Sequence, residues 1–329
     1  MINPINLILL ALECAVRRGR ILLSGAAALG SCVPPAAHTL TVGTNIWPGY
    51  EPGYIAELHQ LYGNAAIDMR QMQSASDLLR AFRNGSLDVV ALTLDDALKL
   101  QRDGYDIRML GVVDISNGLD AIVAHPPIAR VDQLNGKAVA VENSALGAYL
   151  LGRALDVHGV PPQNVRQVAM TIDQSVALYQ SGKVDAVVTF APYLTQIQRL
   201  GGQTIFDSAQ IPGEIVDVLV TTRQFADDHP EQLRDLISGW SAAIQLIRAD
   251  GEGRTAVPEI ARRLQLTPAE VRASFAQIKL IDHRESAALL APGGIVEQAV
   301  RRMAPVIQAI DGKPIKPDIQ RLLARDRAG

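Results

Sequence analysis

From residue 38 the chain alternates short β-branched runs with longer stretches whose apolar residues recur at helical spacing, the pattern of an α/β protein with mainly parallel strands. LTVGT (40–44) predicts a strand, GYIAELHQLYG (53–63) a helix closed by Gly63, and AIDMRQM (66–72) a second strand. SASDLLRAFRNG (74–85) predicts a helix capped by Ser74 or Ser76 and ended by Gly85. A strand at LDVVALT (87–93), a helix at DDALKLQRDG (95–104) and a strand at IRMLGVVD (107–114) follow.

The same order then restarts. GKAVAVE (136–142), VRQVAM (165–170) and VDAVVTF (184–190) predict strands separated by helices at SALGAYLLGRALDVHG (144–159) and DQSVALYQSG (173–182). AFRNGSLDVVALT (81–93) and LYQSGKVDAVVTF (178–190) align without a gap, 97 residues apart, matching Gly85 with Gly182 and Asp88 with Asp185. Such self-similarity predicts two lobes of one architecture, each opening β-α-β-α-β. AQIPGEIVDVLVTT (209–222) predicts the strand on which the chain leaves the second lobe. The remainder is almost wholly helical, with Pro230, Pro258 and Pro268 near helix starts, where a missing N–H is harmless, and it is expected to pack on the first lobe. The expectation is a hinged two-lobed α/β clamshell: 38–121 with 218–329 as the first lobe, 122–217 as the second, and 1–37 as a leader.

Ligands of open α/β sheets sit beyond the carboxyl ends of the strands. In a clamshell the loops there face one another: 45–50, 93–96, 116–120, 142–147, 189–193 and 212–217, none of which holds Lys or Arg. The candidate ligand contacts are Trp47, Tyr50, Tyr54, Thr93, Asp95, Asp96, Ser116, Asn117, Asp120, Ser144, Gly147, Tyr149, Phe190, Tyr193, Glu214 and Asp217, with Glu142 among the acidic loop residues. The densest stretch is TNIWPGYEPGYIAE (44–57), where Pro and Gly punctuate three aromatics of a chain with only two Trp and seven Tyr. Aromatics rimmed by acids suit a flat or cationic nitrogenous ligand through stacking and cation–π contact. The expected ligand is a small heteroaromatic or amine stacked on Trp47 and Tyr50, with Asp95 or Asp217 accepting its N–H groups.

Several of these residues have structural alternatives. Asp95 or Asp96 is also a natural helix cap, Ser144 either caps a helix or helps hold an oxyanion, and Tyr149 and Phe190 fit a core equally well. Asp88 and Asp185 read as turn residues.

Composition narrows the function classes. A net charge of −3 without a basic cluster gives no footprint for nucleic acid. Both cysteines, Cys14 and Cys32, precede the folded body, which leaves it no disulfide framework or cysteine metal site. No HExxH, GxSxG, P-loop or GxGxxG motif occurs, so binding is expected rather than catalysis, and no cofactor. Arg17, Arg18 and Arg20 precede an apolar, small-residue stretch (21–31) that Cys32 follows at once, completing LGSC, an export signature.

Three stretches, TNIWPGYEPGYIAELHQLYG, SASDLLRAFRNGSLDVVALTLDDAL and SGKVDAVVTFAPY, resemble the substrate-binding proteins of bacterial ABC importers. The group in question takes up nitrate, alkanesulfonates, taurine or the thiamine pyrimidine precursor, and the likeness runs over residues 40–250. The resemblance implies a type II periplasmic-binding fold, a periplasmic or cell-surface location, and a monomer that delivers a small-molecule ligand to an ABC permease and ATPase. It also implies that LGSC is a lipobox, lipidated at Cys32 as a membrane anchor. A sensor of the same fold docking on a membrane signalling protein is one alternative, and a sulfonate, nitrate or taurine binder is the second. Carried over by position, first-lobe contacts fall on Trp47, Tyr50, Thr93 and Asp95, and second-lobe contacts on 144–147. Sulfonate binders tend to carry a Gly-Ser-Ser-like turn where this chain has ENSALG, with acidic Glu142, a departure that argues against an anionic ligand.

Overall fold

A computed structural model describes residues 38–142, 144–250 and 254–323. Cys32 and the rest of the predicted leader lie outside the described residues.

The first repeat runs β1 (Leu40–Thr44), α1 (Glu51–Leu58), β2 (Ile67–Gln71), α2 (Ala75–Arg83), β3 (Val89–Thr93), α3 (Leu94–Arg102) and β4 (Ile107–Ser116). The second runs β5 (Asp120–Ala124), β6 (Ala138–Glu142), α4 (Ala145–Val157), β7 (Arg166–Met170), α5 (Ser175–Gln180), β8 (Ala186–Phe190), α6 (Tyr193–Arg199) and β9 (Gln203–Asp207). The chain returns on β10 (Val216–Thr222) and continues through α7 (Arg223–Asp228), α8 (Pro230–Ala249), α9 (Val257–Leu264), α10 (Pro268–Phe275) and β11 (Ile278–Leu280). It ends in α11 (His283–Leu289), α12 (Ile295–Asp311) and α13 (Ile319–Leu323).

Two mixed sheets result, ordered β11-β4-β10-β3-β1-β2 and β7-β6-β8-β5-β9. Each is parallel within its repeat and takes one antiparallel strand from the chain as it crosses over: β5 lies against β8, and β10 between β3 and β4. The repeat is reproduced in register. Val42 pairs with Val89 and Gly43 with Val90, and the pairs 97 residues on are Val139 with Ala186 and Ala140 with Val187. The repeated aspartates explain why. Asp88 accepts the Thr41 N–H at 2.8 Å, tying the start of β3 to that of β1, and Asp185 accepts the Ala138 N–H at 2.8 Å, tying the start of β8 to that of β6. Gly85 and Gly182 supply the preceding turns at φ +75 and +63, a left-handed conformation costly for other residues.

Three strands escaped the sequence reading: β5, β9 and β11. β11 has only three residues, too few for periodicity to register, while β5 and β9 are as long as the strands that were read but fall outside the repeated β-α-β-α-β unit. The tail also departs from expectation. α12 buries Val296, Val300, Met303 and Ile307 in one apolar cluster with Leu98 of α3 and Leu150 of α4, and so packs on both halves rather than on the first alone. α8 lies on α1, where Gly53 permits close approach: a Cβ there would sit 2.5 Å from the Trp240 ring.

Candidate functional site

The cleft between the sheets is lined by Asn45, Trp47 and Tyr50 from the turn after β1, with Thr93, Asp96 and Asp217 also on the first-sheet side. The opposite wall carries Asp120, Glu142, Ser144 and Phe190. Its enclosed space is only about 20 Å³, and no Lys or Arg lines it.

Local sequence builds the aromatic wall. Pro48 opens a single 3₁₀ turn, Pro48–Tyr50, with Trp47 extended before it at φ −167. The turn brings the Trp47 indole N–H onto Asp114 Oδ2 at 3.1 Å and the Tyr50 hydroxyl onto Asp217 Oδ1 at 3.0 Å. Gly49 is required by proximity, because a Cβ there would lie 2.0 Å from Asp114 Oδ2 and 2.4 Å from Trp47 Nε1. Across the cleft Phe190 meets Trp47 edge-on with centroids 5.7 Å apart, and Tyr193 meets Phe190 at 6.3 Å.

Beneath the aromatics lies a pair of carboxylates that sequence reasoning only half found. Asp217 stands directly opposite Asp114 in the antiparallel β10–β4 ladder, where like charges repel. Both are buried; burial first, then each other's charge, raises Asp217 well above the usual carboxylate range, and Asp114 is raised by burial. Two buried carboxylates this close favour sharing a proton over both ionising. Asp114 was missed because it sits inside the predicted strand 107–114, not in a loop. Its signal was an acid at the end of an otherwise apolar run.

Asp120 begins β5 opposite Phe190 just as Asp217 lies opposite Thr93 on β10, and Thr93 and Phe190 are 97 residues apart. The two antiparallel strands thus present one carboxylate each from related positions. Asp120 is raised to about 8, chiefly by burial and further by the charges of Asp217 and Asp95, against an opposing Ser116 hydroxyl. Asp120 Oδ2, Glu142 Oε1, Asp114 Oδ1 and Thr189 Oγ1 are buried without a hydrogen-bond partner. Buried acceptors in that state are costly, and a ligand donor would relieve them.

Other predicted contacts lie elsewhere. Tyr54 is behind the wall, its hydroxyl 2.8 Å from Thr44 Oγ1 and its ring covered by Arg263 at 3.5 Å, so the cation on this aromatic is the protein's own. Asp95 is buried in the first turn of α3 behind Asp96, and neither is the cap, which is Thr93. Ser144 does cap α4, accepting the Gly147 N–H at 3.4 Å while its own hydroxyl donates to Glu142. Gly147 lets that first turn sit against the β6 end.

Tyr149 and Glu214 are taken up in a structural knot. Glu214 receives the Tyr149 hydroxyl at 2.6 Å and both Nε and Nη2 of Arg153 at 2.7 and 3.0 Å; although burial raises its pKa, these donors win and lower it. Ser116 bonds Ser208 at 2.8 Å, and the Asn117 N–H donates to the Gln277 carbonyl, so both stitch the crossover rather than line the cleft.

Among the described residues no group of three His, Cys, Asp or Glu is placed to hold a metal, and no helix is long and apolar enough to cross a membrane.

A two-sheet α/β body with its cleft at the strand ends is the architecture of periplasmic binding proteins, and comparison with known proteins agrees. The chain belongs to the NMT1-like family, whose model matches residues 34–262. It is 26% identical over 246 residues to the putative aliphatic sulfonates-binding protein of Escherichia coli K12, covering 72% of this chain and 75% of that one. It is 24% identical over 190 residues to the taurine-binding periplasmic protein of the same organism, covering 56% of this chain and only 59% of the relative's length. The fold matches the alkanesulfonate-binding protein of Xanthomonas axonopodis pv. citri bound to MOPS, with a TM-score of 0.70 and 18% identity over 88% of this chain and 97% of that one. It also matches the periplasmic aliphatic sulphonate binding protein of Escherichia coli, with a TM-score of 0.69 and 20% identity over 88% and 100%.

Proposed function

We propose that this chain is the extracytoplasmic solute-binding component of an ABC importer, capturing a small amine or nitrogen heterocycle by hinge closure and delivering it to a permease. Family membership and the names of the relatives support the transport role and a periplasmic location. The same reading makes Cys32 the lipid anchor.

The ligand class rests on one observation: the cleft offers buried acceptors and no cation. A sulfonate entering it would meet no lining cation to balance its charge, which is unfavourable in a desolvated site. A protonated amine or aminopyrimidine would instead favour the ionised, accepting form of Asp120 and Glu142 and donate to both, with its flat face against Trp47. Native mass spectrometry of the purified chain, with the copurified solute identified by fragmentation, tests this. A nitrogen base is expected; a sulfonate without an amino group would sink the ligand assignment.

One feature favours a second reading, an aminosulfonate. The cleft's outer mouth shares Asp96, Glu142 and Ser144 with the inner site but adds Arg83 and Lys99, cations that could meet an acidic group while the amine points inward.

A further inference from the structure

An ion pair outside the cleft joins a helix of the second half to a helix of the tail. Arg199 closes α6, which packs on β5 and β8 of the second sheet. Glu270 lies in the first turn of α10, which packs on β11 of the first sheet and on the Pro48–Tyr50 turn. The two side chains meet fork to fork: Arg199 Nε donates to Glu270 Oε1 at 2.8 Å, and Arg199 Nη2 reaches both carboxylate oxygens.

The pair and the aromatic contact share their supports. α6 begins at Tyr193, whose ring meets Phe190, and Phe190 meets Trp47 across the cleft. α10 backs the turn that Trp47 opens. Moving the halves apart here separates Trp47 from Phe190 and Arg199 from Glu270 together.

Exposed ion pairs ordinarily contribute little, because two flexible side chains must be ordered in water. This pair differs in geometry and in preparation. Bidentate guanidinium–carboxylate contact is the stronger and more directional arrangement. Glu270 is already fixed, since its Oε2 accepts the Thr267 N–H and hydroxyl at 2.8 Å each in a capping box. Arg199 and the Thr267 N–H hold its carboxyl down at about 2, so it stays ionised in neutral solution. The capping box is complete without Arg199, so the arginine ties two halves rather than supporting α10.

We propose that Arg199 and Glu270 form a latch that favours the closed cleft and sets how long a captured solute is held. The latch deepens the transport reading by naming what governs release, and only its retention arm rests on that reading.

Trp240→Phe leaves Trp47 as the sole tryptophan, because the chain has two, and its emission reports closure against Phe190. In the full chain on that background, with no ligand added, Arg199→Gln should move Trp47 emission to longer wavelength. Glu270→Gln should do the same, because Gln preserves the capping box and removes only the charge. The double variant should match either single one. Thr267→Ala, which weakens the cap but keeps both charges, should leave emission in place. Stopped-flow release of benzamidine, a flat cationic probe, should be about fivefold faster in either single variant, the upper end for an exposed pair, at an unchanged association rate. Emission unmoved in both single variants, or additive shifts in the double one, would overturn the latch. Shifted emission with unchanged benzamidine release would remove its role in retention. Shifted emission in a chain that binds no benzamidine would uphold the latch and count against the ligand class alone.

Discussion

The two halves share a skeleton and differ in what they mount on it. Offset by 97 residues, the first and third strands pair in the same register, the same aspartate ties their starts together, and the same glycine makes the turn before it. At the strand ends the correspondence stops. Trp47 in the first half falls where Ser144 stands in the second, and Thr93 where Phe190 stands. The first half supplies an indole braced on a carboxylate, the second a helix cap bonded to Glu142. Only the crossover aspartates, Asp217 and Asp120, keep the same chemistry on both sides. Duplication thus fixes the frame, and divergence of the frame's outermost residues makes the site.

Breaking the frame should cost the most. Asp88→Ala leaves the Thr41 N–H and hydroxyl without their shared acceptor and is expected to destabilise by about 2–3 kcal/mol. Asp185→Ala loses the Ala138 N–H acceptor and a more exposed pairing with Lys137, and should cost about 1–2 kcal/mol. Urea denaturation of both variants ranks them. Near-zero effects would show that the repeat is held by packing alone.

At the diverged positions the asymmetry should appear in binding. Trp47→Ala is expected to weaken ligand affinity by about 1–3 kcal/mol, and Gly49→Ala by at least as much, since its methyl displaces the Trp47–Asp114 bond. Ser144→Ala, the matching position, should cost about 1 kcal/mol of stability through the lost cap and little affinity. Titration calorimetry that found the two positions equally important would remove the distinction.

Acidity separates the cleft from its surroundings. Asp120, raised to about 8, binds a proton in the folded state over a range where the unfolded chain does not, so its contribution is full below the unfolded value near 4 and lost as pH rises toward 8. Glu214, lowered by Arg153, contributes in the opposite sense: its stabilisation is present above the ordinary glutamate range and lost on acidification. Stability of the ligand-free protein should therefore fall from pH 5 to pH 8, less steeply in Asp120→Asn. Glu214→Gln should steepen the relative gain at acid pH. A thermal-melt series showing no slope in the native protein would contradict the buried, unpaired state of Asp120.

The frame was legible in sequence because it rests on short, local and repeated signals: a Gly-x-x-Asp turn, helix caps and short apolar strand runs buried on both faces. The site was legible in part. Loop position found Trp47, Tyr50, Asp96, Asp120, Ser144, Phe190 and Asp217, all of which line the cleft. It could not say that Glu214 and Tyr149 would be absorbed by Arg153, or that Arg263, more than 200 residues from Tyr54, would cover that ring, because such pairings are set by tertiary packing. Asp114 was hidden for the opposite reason. Its place in a strand suggested a structural residue, and only the antiparallel register against Asp217 gives it a role.

The central claim is that the cleft's unmet acceptors select a donor-bearing cation. Titration of the purified chain at pH 8 with benzamidine and benzenesulfonate, rings of similar size and opposite charge, tests it directly. Benzamidine should bind at least tenfold more tightly, and lose that advantage at pH 5 and in Asp120→Asn. Benzenesulfonate binding as tightly or more tightly would contradict the account.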